Sequence, residues 1–214
     1  METGHSPHEV PMRLRNEPFA GAVPLERLGK GPRRDPPIWA RSVRLLLGYS
    51  VGLMRGFYEK ARPGEVWMPA LIAVCGNGDV APMMQAESIP RDAWAGEMRR
   101  VFRDAGVVRY VLTMEAWMSM ATVPMAMPRD LSDPALDRLL DAGPAPEADP
   151  ARREVAFAFA CERRGRSESA VLELVRGDGG RVVETRDVTH SLDGGHAKGA
   201  FGPLARLFEP DGRH

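Results

Sequence analysis

The residue best suited to acid–base chemistry in this 214-residue chain is Glu115, which stands in the middle of the most apolar expected strand, Val107 to Met120 (VVRYVLTMEAWMSM). A carboxyl group among apolar side chains has a raised pKa and can act as general acid or base. Buried acids are seldom left without a partner. Glu115 is therefore expected to meet an Arg, a His or an amide on the strand face it shares with Val111, Thr113 and Trp117. On an open face it would be an ordinary half-exposed strand residue. His190, Asp193 and His196 (HSLDGGH) are the second cluster, since these are ligand types that zinc accepts. The two glycines between Asp193 and His196 make a poor scaffold for a preformed site, so a polar surface turn is the competing reading. Cys161 with a distant His could form a nucleophile pair. It ends an apolar strand face, however, where a cysteine behaves as a small hydrophobe, and Cys75 has no base near it in the sequence. An enzyme built from these parts would be a small hydrolase or a metal-dependent enzyme centred on Glu115 with His190, Asp193 and His196. No motif implies a particular cofactor. Gly76-Asn77-Gly78 and Gly177 to Gly180 have the composition of phosphate loops, but each lies between two expected strands rather than before a helix, so both are read as hairpin turns.

Other residue patterns point to binding. Gly48, Gly52 and Gly56 recur every four residues and would make a smooth stripe on a helix. Each mid-helix glycine costs about 1 kcal/mol against alanine, so three on one face suggest the close approach of another backbone, preferably the chain's own sheet, otherwise a second copy. Met114, Met118, Met120, Met125 and Met127 fall close together, and soft methionines suit a surface that repacks around a partner. Of these, Met125 and Met127 in the stretch Val123 to Pro128 are the expected docking residues. Basic runs occur at Arg33–Arg34, Arg99–Arg100–Arg103, Arg152–Arg153 and Arg163–Arg164–Arg166, and residues 1–62 hold 11 basic against 6 acidic residues. No nucleic-acid recognition pattern accompanies them, so solvated faces are the expectation and a nucleic-acid accessory role is the weakest of three.

These residues must be positioned by a small set of elements. Trp39, Val43, Leu46, Ser50, Leu53 and Phe57 form a helical stripe over residues 38–60, bounded by Pro36–Pro37 and Pro63–Gly64. Residues 65–86 read as a hairpin turning at Gly76–Asp79, with Pro69 and Pro82 placing it at a sheet edge or its ends. Residues 90–105 form a second helix with Ser88 as candidate cap, a buried face of Trp94, Met98, Val101, Phe102 and Ala105, and a stop at Gly106. Val107 to Met120 is apolar on both faces and so central. Glu154 to Glu162 (EVAFAFACE) alternates large Val155, Phe157, Phe159 and Cys161 with Ala156, Ala158 and Ala160. The large face is expected in the main core, and the alanine face leaves room for a helix to lie close. Ser169–Arg176 and Arg181–Thr189 flank the strong turn Gly177–Gly180. Asp133 to Ala142 reads as a short helix, and Leu204, Leu207 and Phe208 as docking residues.

The expected class is α+β: a mainly antiparallel sheet of about five strands with two main helices, in the order helix–hairpin–helix–strands, covered on one face. The expected organisation is a proline-rich arm over 1–37, one domain over 38–208 and a tail over 209–214. Basic and acidic residues are equal at 29 each, so no global field draws the chain to nucleic acid or membrane. Arginine outnumbers lysine, of which only Lys30, Lys60 and Lys198 occur, a bias expected of a GC-rich bacterial genome. No apolar run reaches the length of about 20 residues that a bilayer requires. These features suggest a cytoplasmic accessory protein that works through a protein partner or self-association.

Overall fold

The computed structural model describes residues 22–85, 88–118, 152–189 and 207–208. Six strands form one fully antiparallel sheet: β1 (Ala70–Cys75), β2 (Val80–Met84), β3 (Val107–Met118), β4 (Arg153–Glu162), β5 (Ser167–Arg176) and β6 (Val182–Asp187). Their spatial order is β2-β1-β3-β4-β5-β6. Helix α1 (Val43–Tyr58) precedes β1 and helix α2 (Arg91–Asp104) joins β2 to β3. The class is α+β with an antiparallel sheet, as the alternation of side chains implies. Met125, Met127, His190, Asp193, His196 and the short helix expected at residues 133–142 lie outside the described residues.

The sheet is covered on both faces, not one. Tyr110, Leu112 and Met114 of β3 join Val155, Phe157 and Val171 in a core closed by Trp94, Ala95, Met98 and Phe102 of α2. Val111 of β3 turns the other way, towards Ala156, Ala158, Ala160, Leu172 and Leu174, and α1 closes that side with Val43, Leu46, Leu47, Met54 and Tyr58. The alternation in β4 explains the division: its large residues fill the gap to α2, and its alanines let α1 settle on the strand. Leu207 is buried against the α2 side, and the Phe208 ring lies 5.5 Å from Phe102 and 5.2 Å from Tyr110.

Helix α1 starts at Ser42, whose hydroxyl accepts from the Leu45 N–H at 3.2 Å. Its buried stripe runs through Val43, Leu46, Leu47, Ser50, Met54 and Tyr58, so Met54 and Tyr58 take the places expected for Leu53 and Phe57. At the start of α2, Pro90 is the cap residue and no side chain caps the helix, so Ser88 does not have that role.

Residues 22–37 run over the tip of the β1–β2 hairpin. Asp79, 1% exposed, collects the contacts that hold them: the Gly29 N–H at 3.0 Å, the Arg34 Nε at 2.9 Å and the Asn77 amide at 2.8 Å. Burial alone would push the Asp79 carboxyl up. The hydrogen bonds from Asn77, Arg34 and Gly29 outweigh it and hold the group below the usual carboxylate value.

Candidate functional site: an apolar trough beside a latched tryptophan

On its face of the sheet, α1 packs across β3, β4, β5 and β6; the β1–β2 ladder beside it is buried at Ile72, Val74 and Val80 and opens only towards Ala70, Pro82 and Met84. Ile72 of β1 and Pro82 and Met84 of β2 point to this face, and the result is a trough walled by Leu53 and Phe57 of α1 and ended by Trp67. It is a shallow groove, partly open to solvent, and its lining is almost wholly apolar. Exposed hydrophobic residues adjoin it: Met84 is 39% exposed, Val66 beside Trp67 is 48%, and Ile89, whose carbonyl accepts from Gln85 next to Met84, is 41%.

The glycine stripe does not meet the sheet. A Cβ at Gly48, Gly52 or Gly56 would find nothing within 4 Å. At roughly 100° per residue, Leu53 and Phe57 face the trough, Gly56 follows on the same flank of α1, Leu45 and Gly52 stand at its crest opposite the buried stripe, and Gly48 lies beyond the crest. Leu45 is 46% exposed. The close packing expected of the glycines is supplied instead by the alanines of β4, against the opposite side of the helix.

Trp67 is the piece that the residue patterns do not single out. It lies in the loop from α1 to β1, ahead of the strand, and two side chains of β3 hold it. Its backbone N–H donates to Glu115 Oε1 at 2.6 Å, and its indole N–H donates to Thr113 Oγ1 at 2.9 Å. The Tyr58 hydroxyl donates to the same Glu115 oxygen at 2.7 Å. The Phe57 ring meets Trp67 edge-on at 5.3 Å. Glu115 thus has the amide partner expected of it, together with a tyrosine hydroxyl. Beyond it on the same face, Glu154 and Arg176 form a two-point pair, with Arg176 Nε 2.6 Å from Glu154 Oε2 and a second bond from Arg176 Nη2 to Oε1.

Burial raises the Glu115 carboxyl above its usual value, although the bonds from Trp67 and Tyr58 pull it down. Burial and the nearby carboxylate together push the Tyr58 hydroxyl far up. A raised carboxyl pKa means that the folded chain holds this proton more tightly than the unfolded chain. Stability from this group is therefore fullest below the usual carboxylate range and falls as pH rises through the raised value. Glu115→Gln keeps an acceptor oxygen and cannot ionise. Its unfolding free energy, measured by denaturant titration, is expected to equal or exceed that of the unmodified chain at neutral pH and to vary less in mild acid. Glu115→Ala leaves the Tyr58 hydroxyl and the Trp67 N–H without an acceptor and should cost about 2 kcal/mol at any pH. Equal losses in the two variants would show that the charge, not the acceptor, holds Trp67.

The thiols are poorly suited to nucleophilic chemistry. Burial pushes Cys75 up to about 12 and also raises Cys161, while a reactive cysteine needs a lowered pKa. Among the described residues no three His, Cys, Asp or Glu side chains cluster as a metal site would require. Several arginines of the basic runs face acids: Arg100 pairs with Glu97 at 2.5 Å, Arg166 with Glu168 at 2.8 Å and Arg153 with Glu173 at 3.3 Å. Among the described residues no helix is long and apolar enough to cross a membrane. Compared with protein-family models, curated proteins and solved structures, the chain shows no match, and the functional reading rests on this geometry.

Proposed function

We propose that this chain is an accessory protein of the bacterial cytoplasm that works by binding a partner protein, and that the trough receives an apolar helical segment of that partner. The observation that carries this reading is the open apolar end of the β1–β2 ladder, at Ala70, Pro82 and Met84, beside Leu53 and Phe57 of α1. Gly56, next to Leu53 and Phe57 on the same flank, would let the segment's backbone come close to α1. Met84, Val66 and Ile89 supply an exposed apolar rim of the kind that marks interaction sites. A second copy of α1 is a poor occupant, because its apolar face is already buried on its own sheet.

The catalytic reading of Glu115 has less support. One carboxylate oxygen is engaged by two donors, and the side chain is set behind Trp67 rather than in the trough wall.

The test uses the full chain as bait in quantitative co-purification from its own host, with Met84→Asp and Gly56→Leu beside it. Met84→Asp puts a charge on the rim, and Gly56→Leu fills the flank. Met84 is 39% exposed and a Cβ at Gly56 meets nothing within 4 Å, so neither variant should unfold the chain, and Gly56→Leu should raise the unfolding midpoint slightly through helix propensity. The expected result is one partner whose recovery drops by at least about tenfold, or about 1.4 kcal/mol, in both variants. Identical recovery of every protein by all three baits would refute the trough as the binding site.

A further inference from the structure

The two edges of the sheet are unlike. At β2, Pro82 stands mid-strand without an N–H, and the Val80 carbonyl already accepts from the Val23 N–H at 2.9 Å. Such an edge resists further pairing. At β6 there is no proline, and the strand keeps unbroken register with β5 from Leu172↔Asp187 to Val175↔Glu184. The Val188 N–H donates inward to the Val171 carbonyl at 3.0 Å. By strand alternation the N–H groups of Glu184 and Arg186 also point to β5, and the backbone groups of Val183, Thr185 and Asp187 point outward.

We propose that the chain pairs with a second copy of itself along the outer edge of β6, two-fold about Thr185, so that two six-stranded sheets become one. Antiparallel pairing with Thr185 opposite Thr185 sets Val183 against Asp187 and Glu184 against Arg186 of the second copy. Charge selects this occupant. Glu184 and Arg186 are 51% and 54% exposed, and each meets its opposite charge across the two-fold, twice over. A centre moved two residues either way loses both pairs. Within one chain the two side chains now bond each other, at 3.0 and 2.7 Å, so both are already turned to one face. Edge charges can block pairing, but here the two charges are of opposite sign and complement each other across the two-fold. The Val183 side chain, 65% exposed, adds apolar surface beside the axis. The pairing uses no residue of the trough, so the two proposals stand or fall separately.

Sedimentation velocity and native mass spectrometry of the full chain test the pairing. The unmodified chain is expected at twice the chain mass. Thr185→Pro removes an outward N–H and no ladder bond to β5, so it should give a folded monomer with unchanged circular dichroism. Arg186→Glu sets acid against acid and should also be monomeric. Adding Glu184→Arg to it restores opposite pairs and should restore the dimer. If Thr185→Pro does not fold, the charge series alone decides. A monomeric unmodified chain overturns the proposal. So does a dimer that survives Arg186→Glu, or a double variant that stays monomeric while its parent is dimeric.

Discussion

Gly78→Ala is expected to destabilise the fold by about 3–4 kcal/mol, a loss read as a lowered denaturation midpoint. Two effects add there. Gly78 has φ +89°, a region that an L side chain enters at a cost of about 1–2 kcal/mol. Its Cβ would also stand 1.9 Å from the Arg34 carbonyl oxygen, so residues 33–36 must move and the Arg34–Asp79 bonds go with them. Gly64→Ala separates the two contributions. Gly64 has φ +82° with nothing within 4 Å of a Cβ, so only backbone strain applies and the loss should be about 1 kcal/mol. Equal losses at the two positions would mean that residues 22–37 do not rest on the hairpin tip.

The second large effect is expected at Ala158. This residue is fully buried on the alanine face of β4, between Thr113 of β3 and Ala170 of β5 and beneath α1. Ala158→Leu adds three carbons where strand and helix are closest and should cost about 3 kcal/mol by overpacking. Urea unfolding with an unchanged denaturant slope would show that the loss is one of stability rather than of compactness. A loss below about 1 kcal/mol would mean that α1 yields easily and is not seated on these alanines.

The two substitutions bracket what was legible in the residues. The alanine face of β4 and the two apolar faces of β3 announce themselves by alternation, and Gly76–Asp79 and Gly177–Gly180 announce their turns. Those signals are local, since two-residue periodicity and turn chemistry need no knowledge of the rest of the chain. Coverage of both sheet faces followed from the same strands, yet the order of elements suggested one. The choice between Leu53–Phe57 and Met54–Tyr58 for the buried side of α1 depends on how the helix rolls against β4 and β5, which helical periodicity leaves open by one residue. The glycine stripe suggested close packing, preferably on the chain's own sheet, but it lies on the exposed side of α1, and which side of the helix faces out is a tertiary fact.

At the candidate site, Glu115 was legible as a carboxylate in an apolar strand that needs a partner. Trp67 was not. Its role depends on a loop that crosses the sheet face and brings residues 48 positions apart into contact. The Asp79 contacts with Gly29 and Arg34 span 50 and 45 positions and are silent in the sequence for the same reason. The unlike sheet edges lie between these cases. Pro82 marks the closed edge from the sequence alone, whereas the self-complementary Glu184–Arg186 pair has meaning only once β6 is known to be outermost.

The most direct measurement of the central claim, that the trough is a docking surface for another protein, is site-specific photo-crosslinking of the full chain in its host, with the crosslinking residue at position 84 in one sample and at position 183 in another. The account predicts that position 84 joins an apolar segment of a different protein, with its attachment residues at helical spacing, and that position 183 joins a second copy of the chain near Asp187. Crosslinks from position 84 to no other protein, or to the same unselected set as position 183, would contradict it.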